Sequence, residues 1–218
     1  MKLSDIEIAH STQLKPIGLI AEKLLGERSL NYEDICDEMA KLPIGLIDEE
    51  KIKSSKLILV TSISPTKAGI GKTTVSIGLN DAFREIGSNS VAVLREPSLG
   101  PCFCMKGGAC GGGYSQVIPM EKINLHFTGD FHAITAANNL IAAAIDNYFY
   151  HNPEEFRKIK KITFKRCVDI NDRSLRTIYT KDRHGNLIET GFDITPASEI
   201  MAIFCLATDI YMYKFQNK

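Results

Sequence analysis

A short apolar run, Leu57-Ile58-Leu59-Val60-Thr61-Ser62-Ile63, leads into Thr66-Lys67-Ala68-Gly69-Ile70-Gly71-Lys72-Thr73-Thr74, and this pairing constrains the fold more than any other feature. The run has the length and β-branching of a buried strand. A helix is predicted from Lys72 to about Ile86, with Gly87 supplying the stop. A glycine-rich turn between strand and helix is the context of a phosphate-binding loop. Glycines let backbone N–H groups converge on phosphate oxygens, and the helix N-terminus adds its positive end. Lys72 is placed to reach β- and γ-phosphates, and the Thr73 hydroxyl to ligate magnesium. The expected nucleotide-binding set is therefore Thr66, Lys67, Ala68, Gly69, Ile70, Gly71, Lys72, Thr73 and Thr74, with Thr73 as the metal ligand and ATP with Mg2+ as the cofactors. Thr66 stands where the usual pattern has its first glycine. A strand–helix turn holding no ligand is the plainer alternative, and Gly-Lys-Thr-Thr directly after a strand disfavours it.

The loop alone fits two kinds of ATPase. Lys67 lies five residues before Lys72, the spacing of the signature lysine in partitioning and iron-protein-type ATPases, which reaches the partner's nucleotide across a dimer. Ala68 replaces one glycine of that pattern.

Further along, Val91-Ala92-Val93-Leu94 reads as a second buried strand, and residues 97–113, with two prolines and six glycines, as a loop. Residues 16–25 read as a short helix closed by Gly26, residues 131–149 as a long Ala-rich helix, and Thr195-Pro196 as the N-cap and first position of a helix to about Ala207. Asn124-Leu125-His126-Phe127-Thr128 alternates in polarity like a third strand, and residues 161–168 read as another. Phe127 and Phe131 are expected in the core. Strands alternating with helices point to an α/β fold with a mainly parallel sheet.

Lys and Arg (26) balance Asp and Glu (26), so net charge gives no general attraction to nucleic acid or to anionic membrane. Acids at Asp5 and Glu7 break any secretory signal, and Asp146 and Asp209 interrupt the most apolar later stretches. The six cysteines read as reduced thiols, and a cytoplasmic protein is expected. Cys102, Cys104 and Cys110 have a Cys-x-Cys-x5-Cys spacing that matches no common zinc or iron–sulfur pattern.

Several ordered blocks separate the two ATPase readings. Arg95-Glu96-Pro97-Ser98-Leu99-Gly100-Pro101, Lys106-Gly107-Gly108 and Gly111-Gly112-Gly113-Tyr114 are followed by Asn124 through Thr135 (reading Asn-Leu-His-Phe-Thr-Gly-Asp-Phe-His-Ala-Ile-Thr). Asp169-Ile170-Asn171-Asp172-Arg173 and Gly191-Phe192-Asp193-Ile194-Thr195 complete them. Together they resemble the formate–tetrahydrofolate ligases, from Ser4-Asp5-Ile6-Glu7-Ile8-Ala9 to about Asp209. The resemblance implies a P-loop NTPase-like, mainly parallel sheet flanked by helices, truncated relative to the family. It implies that formate attacks the γ-phosphate of ATP to give formyl phosphate, and that the N10 amine of tetrahydrofolate then attacks the formyl carbon and expels phosphate. It assigns Arg95 to formyl phosphate, which its planar fork suits. Lys72, Glu96, His126 and Asp130 join Arg95 as expected catalytic residues. Formate, ATP and tetrahydrofolate are the expected partners, with homo-oligomerisation and a monovalent cation (K+ or NH4+) carried by the family.

The chain departs from that family in length and in detail. We expect residues 1–56 as a helical segment packing on the core, 57–209 as an incomplete P-loop domain and 210–218 as a divergent tail. A complementary C-terminal chain, a nucleotide-binding remnant without catalysis and a dimer-linked deviant-loop ATPase remain open. Cys104 and Cys110 stand where glycine and alanine are expected, and Thr177-Ile178-Tyr179-Thr180 replaces a glycine-rich turn.

Overall fold

The computed structural model describes residues 3–26, 33–46, 48–63, 66, 69–102, 110–159, 161–182 and 184–207. Lys67 and Ala68 of the phosphate loop, Cys104, Lys106-Gly107-Gly108 and the 210–218 tail lie outside the described residues. The chain forms two compact units: Met1–Leu94 with Cys110–Ile123, and Arg95–Ala109 with Asn124–Lys218.

In the first unit, helix α1 (Asp5–Ser11) opens with a capping box in which Ser4 and Glu7 satisfy each other's backbone N–H groups. Helix α2 (Ile17–Leu25) ends at Gly26, as its sequence predicts. Strands β1 (Glu33–Cys36) and β2 (Met39–Lys41) form a short antiparallel hairpin. Helix α3 (Glu49–Ser54) follows, its N-terminus capped by Asp48.

The principal helix of this unit is α4 (Lys72–Glu85), which starts at the predicted lysine and stops before Gly87 at φ +80°. It packs on a hairpin of β3 (Gly111–Gly112) and β4 (Ser115–Gln116). The contact needs glycine on both sides. A Cβ on Gly78 would lie 2.9 Å from the Ser115 hydroxyl oxygen. One on Gly111, at φ +86°, would meet the Ser115 carbonyl oxygen at 2.1 Å and Ile77 Cδ1 at 2.8 Å.

The short helix α6 (Met120–Asn124) ends the first unit's return of the chain, and in the second unit α5 (Leu99–Cys102) precedes the long helix α7 (Asp130–His151). Glycine at 129, with φ +78°, turns the chain into α7, and Phe131, Ile134 and Ala142 face the core. Helix α8 (Pro153–Phe156) follows. Strand β5 (Arg166–Cys167) pairs in parallel with β8 (Phe192–Asp193), while β6 (Ile178–Lys181) and β7 (Leu187–Thr190) form an antiparallel hairpin. Ile178, Tyr179 and Thr180 lie in β6, and the hairpin's turn is tied by Asp182 accepting from the N–H groups of His184 and Asn186. Helix α9 (Glu199–Leu206) closes the described chain.

The fold is thus a mixture of helices with small parallel and antiparallel sheets. Five expectations need correction. Residues 57–63 and 91–94 pair as strands with nothing among the described residues, and Leu57, Leu59, Ile63 and Val93 are at least 81% exposed. An apolar β-branched run becomes a buried strand only when neighbours occupy both its edges and cover its faces. Asn124 ends α6 and residues 125–128 form turns, with His126 in the left-handed region at φ +60°, so their alternating polarity reflects a turn and not a pleat. Of residues 161–168, only Arg166 and Cys167 join a ladder. The last helix is capped by Ser198, whose Oγ accepts from Met201 N–H, because Thr195-Pro196 is taken up in a separate 3-10 turn. Thr195 is fully buried and shares a 2.7 Å hydrogen bond with Thr135.

Candidate functional site

The phosphate-loop residues belong to the first unit. Gly69 and Gly71 adopt φ +81° and +75°, a backbone that L side chains rarely take, and Gly71 is the N-cap of α4. Thr66 closes the loop twice: its carbonyl accepts from Gly69 N–H at 3.2 Å, and its hydroxyl donates to the Gly69 carbonyl at 2.9 Å. Thr66 therefore ties the turn by hydrogen bonds where a glycine would relax it. Ile70 and Lys72 are exposed, and Lys72 Nζ approaches the Ser62 hydroxyl at 3.5 Å. Thr73 and Thr74 occupy the first turn of α4, half-buried. A left-handed glycine pair opening a helix whose first residue is lysine suits a polyphosphate, and the adjacent Thr73 hydroxyl is a hard oxygen donor that suits magnesium.

Arg95, Glu96, His126 and Asp130 belong to the second unit. Arg95 is exposed and makes no ion pair or hydrogen bond among the described residues. The adjacent Glu96 does not neutralise it. Both Glu96 carboxylate oxygens instead accept from the Thr128 hydroxyl, at 2.8 and 2.9 Å. Thr128 Oγ1 also accepts from Asp130 N–H at 3.3 Å, linking Glu96 to the first turn of α7. Asp130 sits there half-buried, where the helix dipole favours an acid.

His126 and Asp169 form a close polar contact in this unit. Nε2 of His126 lies 2.5 Å from Asp169 Oδ2, and the ring stacks on Phe131 with centroids 5.1 Å apart and planes 8° from parallel. Asp169 also accepts from the Ser98 hydroxyl at 2.5 Å and from Leu99 N–H at 2.7 Å. The structure therefore brings Glu96, His126 and Asp130 into one linked region with Arg95 on the adjoining chain. Ser98, Thr128 and Asp169 belong to it without having been singled out from sequence. Their only sequence signal was membership of blocks selected for other residues.

A larger cavity, of about 850 Å3, is lined by Phe149, Phe156, Ile162, Phe164 and Ile188, with the Arg166–Asp146 ion pair (2.6 Å) at its wall. None of the predicted site residues lines it. Among the described residues no helix is long and apolar enough to cross a membrane, and no cluster of three or more metal-ligating side chains occurs.

A left-handed glycine turn at the start of α4 thus lies in the first unit, and a hydrogen-bonded region containing Glu96, His126 and Asp130 in the second. The family model for formate–tetrahydrofolate ligase matches residues 3–216. The chain is 58% identical over 210 residues to a formate–tetrahydrofolate ligase of Bacteroides thetaiotaomicron and 59% identical over 210 residues to one of Bacteroides fragilis. It is 52% identical over 212 residues to that of Pelagibacter ubique. Each alignment covers 95% of this chain and 38% of the relative. The chain belongs to the formate–tetrahydrofolate ligase family, and it spans about 38% of the length of the curated relatives it matches.

Proposed function

We propose that this chain provides the nucleotide-binding and formate-activating part of an ATP-dependent formate–tetrahydrofolate ligase. The observation that carries this reading is the turn at Gly69 and Gly71, which opens α4 on Lys72 in a chain of this family. Backbone N–H groups of that turn and the Lys72 ammonium would hold the phosphates of ATP, and the Thr73 hydroxyl would hold a magnesium ion. Magnesium, when bound, neutralises charge on the phosphate oxygens. Formate oxygen attacks the γ-phosphorus, the bond to ADP breaks, and formyl phosphate results. Arg95 has no competing partner among the described residues and offers two parallel N–H donors to the acyl phosphate. The N10 amine of tetrahydrofolate then attacks the formyl carbon, and phosphate leaves. A K+ or NH4+ ion and homo-oligomerisation belong to this reading through the family.

In this reading the folate arm belongs to the part of the family's length that these residues do not span. The exposed apolar side chains of Leu57, Leu59 and Ile63 lie on a run that pairs as a strand with nothing among the described residues, the kind of segment that neighbouring chain can cover.

Calorimetric titration of MgATP, with and without formate, tests the core reading. Saturable binding, with ADP released only when formate is present, is expected. A folded protein that does not bind MgATP would leave family membership as ancestry without activity. ATP hydrolysis that rises with protein concentration and needs no formate would instead favour the dimer-linked ATPase.

A further inference from the structure

We propose that Asp169 is the positioning residue of the formyl-transfer region: it holds His126 as the Nε2–H tautomer and fixes the backbone that follows Arg95 and Glu96. The chemical role given to His126 rests on the ligase reading above, whereas the tautomer does not.

Three donors converge on one carboxylate. The Ser98 hydroxyl meets Oδ1, while Leu99 N–H and His126 Nε2 meet Oδ2. Asp169 is 6% exposed and Ser98 2%, so water cannot replace these bonds. A carboxylate only accepts, which places the imidazole proton on Nε2 and leaves the lone pair on Nδ1. Nδ1 itself makes no hydrogen bond among the described residues. His126 also carries a left-handed backbone at φ +60°, and the Asp169 bond with the Phe131 stack holds the ring against it. Non-glycine residues kept in that region concentrate at functional sites. Ser98 and Leu99 lie three and four residues after Arg95, so the same carboxylate anchors the segment that carries the guanidinium and the Glu96 carboxylate.

The tautomer matters for the second half-reaction. The C–N bond forms, the bond from the formyl carbon to phosphate oxygen breaks with its electron pair leaving on phosphate, and the amine must lose its proton. A lone pair on Nδ1 can receive that proton, and an Nδ1–H cannot.

Asp169→Asn and Asp169→Ala separate positioning from folding. In the asparagine variant Leu99 N–H forces the amide oxygen into the Oδ2 position, so His126 keeps its acceptor and the amide NH2 can donate to the Ser98 oxygen. Histidine-labelled wild type and both variants would be compared by long-range nitrogen–proton NMR at a pH where the ring is neutral, with the His126 signal assigned by its loss in His126→Gln. The expected result is the Nε2–H form in wild type and Asp169→Asn, and a mixture of tautomers in Asp169→Ala. In the same series kcat for formyl transfer, measured with the folate-binding remainder of the enzyme present, falls about a hundredfold in Asp169→Ala with KM for ATP unchanged, and Asp169→Asn recovers most of it. An Nδ1–H ring in wild type overturns the proposal, as does an unchanged tautomer in a folded Asp169→Ala. If wild type shows no formate-dependent turnover, the ligase reading fails, and the tautomers alone decide the role of Asp169.

Discussion

Asn139, on α7, grips Cys167 on β5 through both ends of its amide: Nδ2 donates to the Cys167 carbonyl at 3.1 Å, and Oδ1 accepts from the Cys167 N–H at 2.8 Å. Its neighbour Asn138 donates to the Lys165 carbonyl at 3.0 Å. Two consecutive amides therefore satisfy the backbone of a strand that has only a two-residue parallel partner.

Asn139→Leu should destabilise the protein by about 1–3 kcal/mol, because a similar volume is kept while a buried N–H and carbonyl lose their partner. Urea unfolding measures this. A midpoint equal to that of wild type would mean that the clamp adds nothing to stability.

Cys167 is 1% exposed, and burial pushes its thiol above the ordinary range, with hydrogen bonds to Thr195 and Thr135 opposing the shift in part. The folded pKa therefore exceeds the unfolded one. Below the ordinary thiol range both states are protonated and the contribution is intact. As pH rises through it, the unfolded chain ionises first, and stability falls. Unfolding midpoints should drop at alkaline pH, and less so in Cys167→Ala when each is compared with its own neutral value. Disulfide reagents should modify the exposed Cys205 well before Cys167, as peptide mass mapping would show.

Lys72→Ala should abolish nucleotide-dependent chemistry while leaving the fold intact, since the side chain is exposed and its one hydrogen bond among the described residues is the 3.5 Å approach to Ser62. ADP formation in the variant follows this directly, and retained turnover would remove the phosphate-loop assignment. Lys67→Ala is the companion measurement. It removes the lysine that the dimer-linked reading requires, and a loss of formate-independent hydrolysis would favour that ATPase.

Arg95→Ala should spare MgATP binding and lower formyl phosphate formation by about a hundredfold, the usual loss of one charge-stabilising donor. Because Arg95 makes no ion pair or hydrogen bond among the described residues, its removal should also leave the melting temperature unchanged. Loss of ATP binding with formate chemistry retained would reverse its role.

Helices α2, α4 and α7 were legible in the residues because local chemistry sets their ends: Gly26, Gly71, Gly87 and Gly129 all take positive φ where the helices begin or stop. Thr195-Pro196 carried an equally good local signal and misled. Thr195 was drawn into a buried hydrogen bond with Thr135, and Ser198 became the cap. Two caps within four residues are close in local free energy, so the contact 60 residues away chose between them. The runs 57–63 and 91–94 misled in another way, since their composition states a preference that only neighbouring strands can realise.

By itself, the sequence determined the family and the ends of α2, α4 and α7, because these depend on residue type and on spacing over a few positions. Tertiary structure alone decided that Thr128 and not Arg95 engages Glu96, and that Asp169 meets His126 across 43 residues. A side chain's partner is set by which backbones fold together, and no local propensity encodes that.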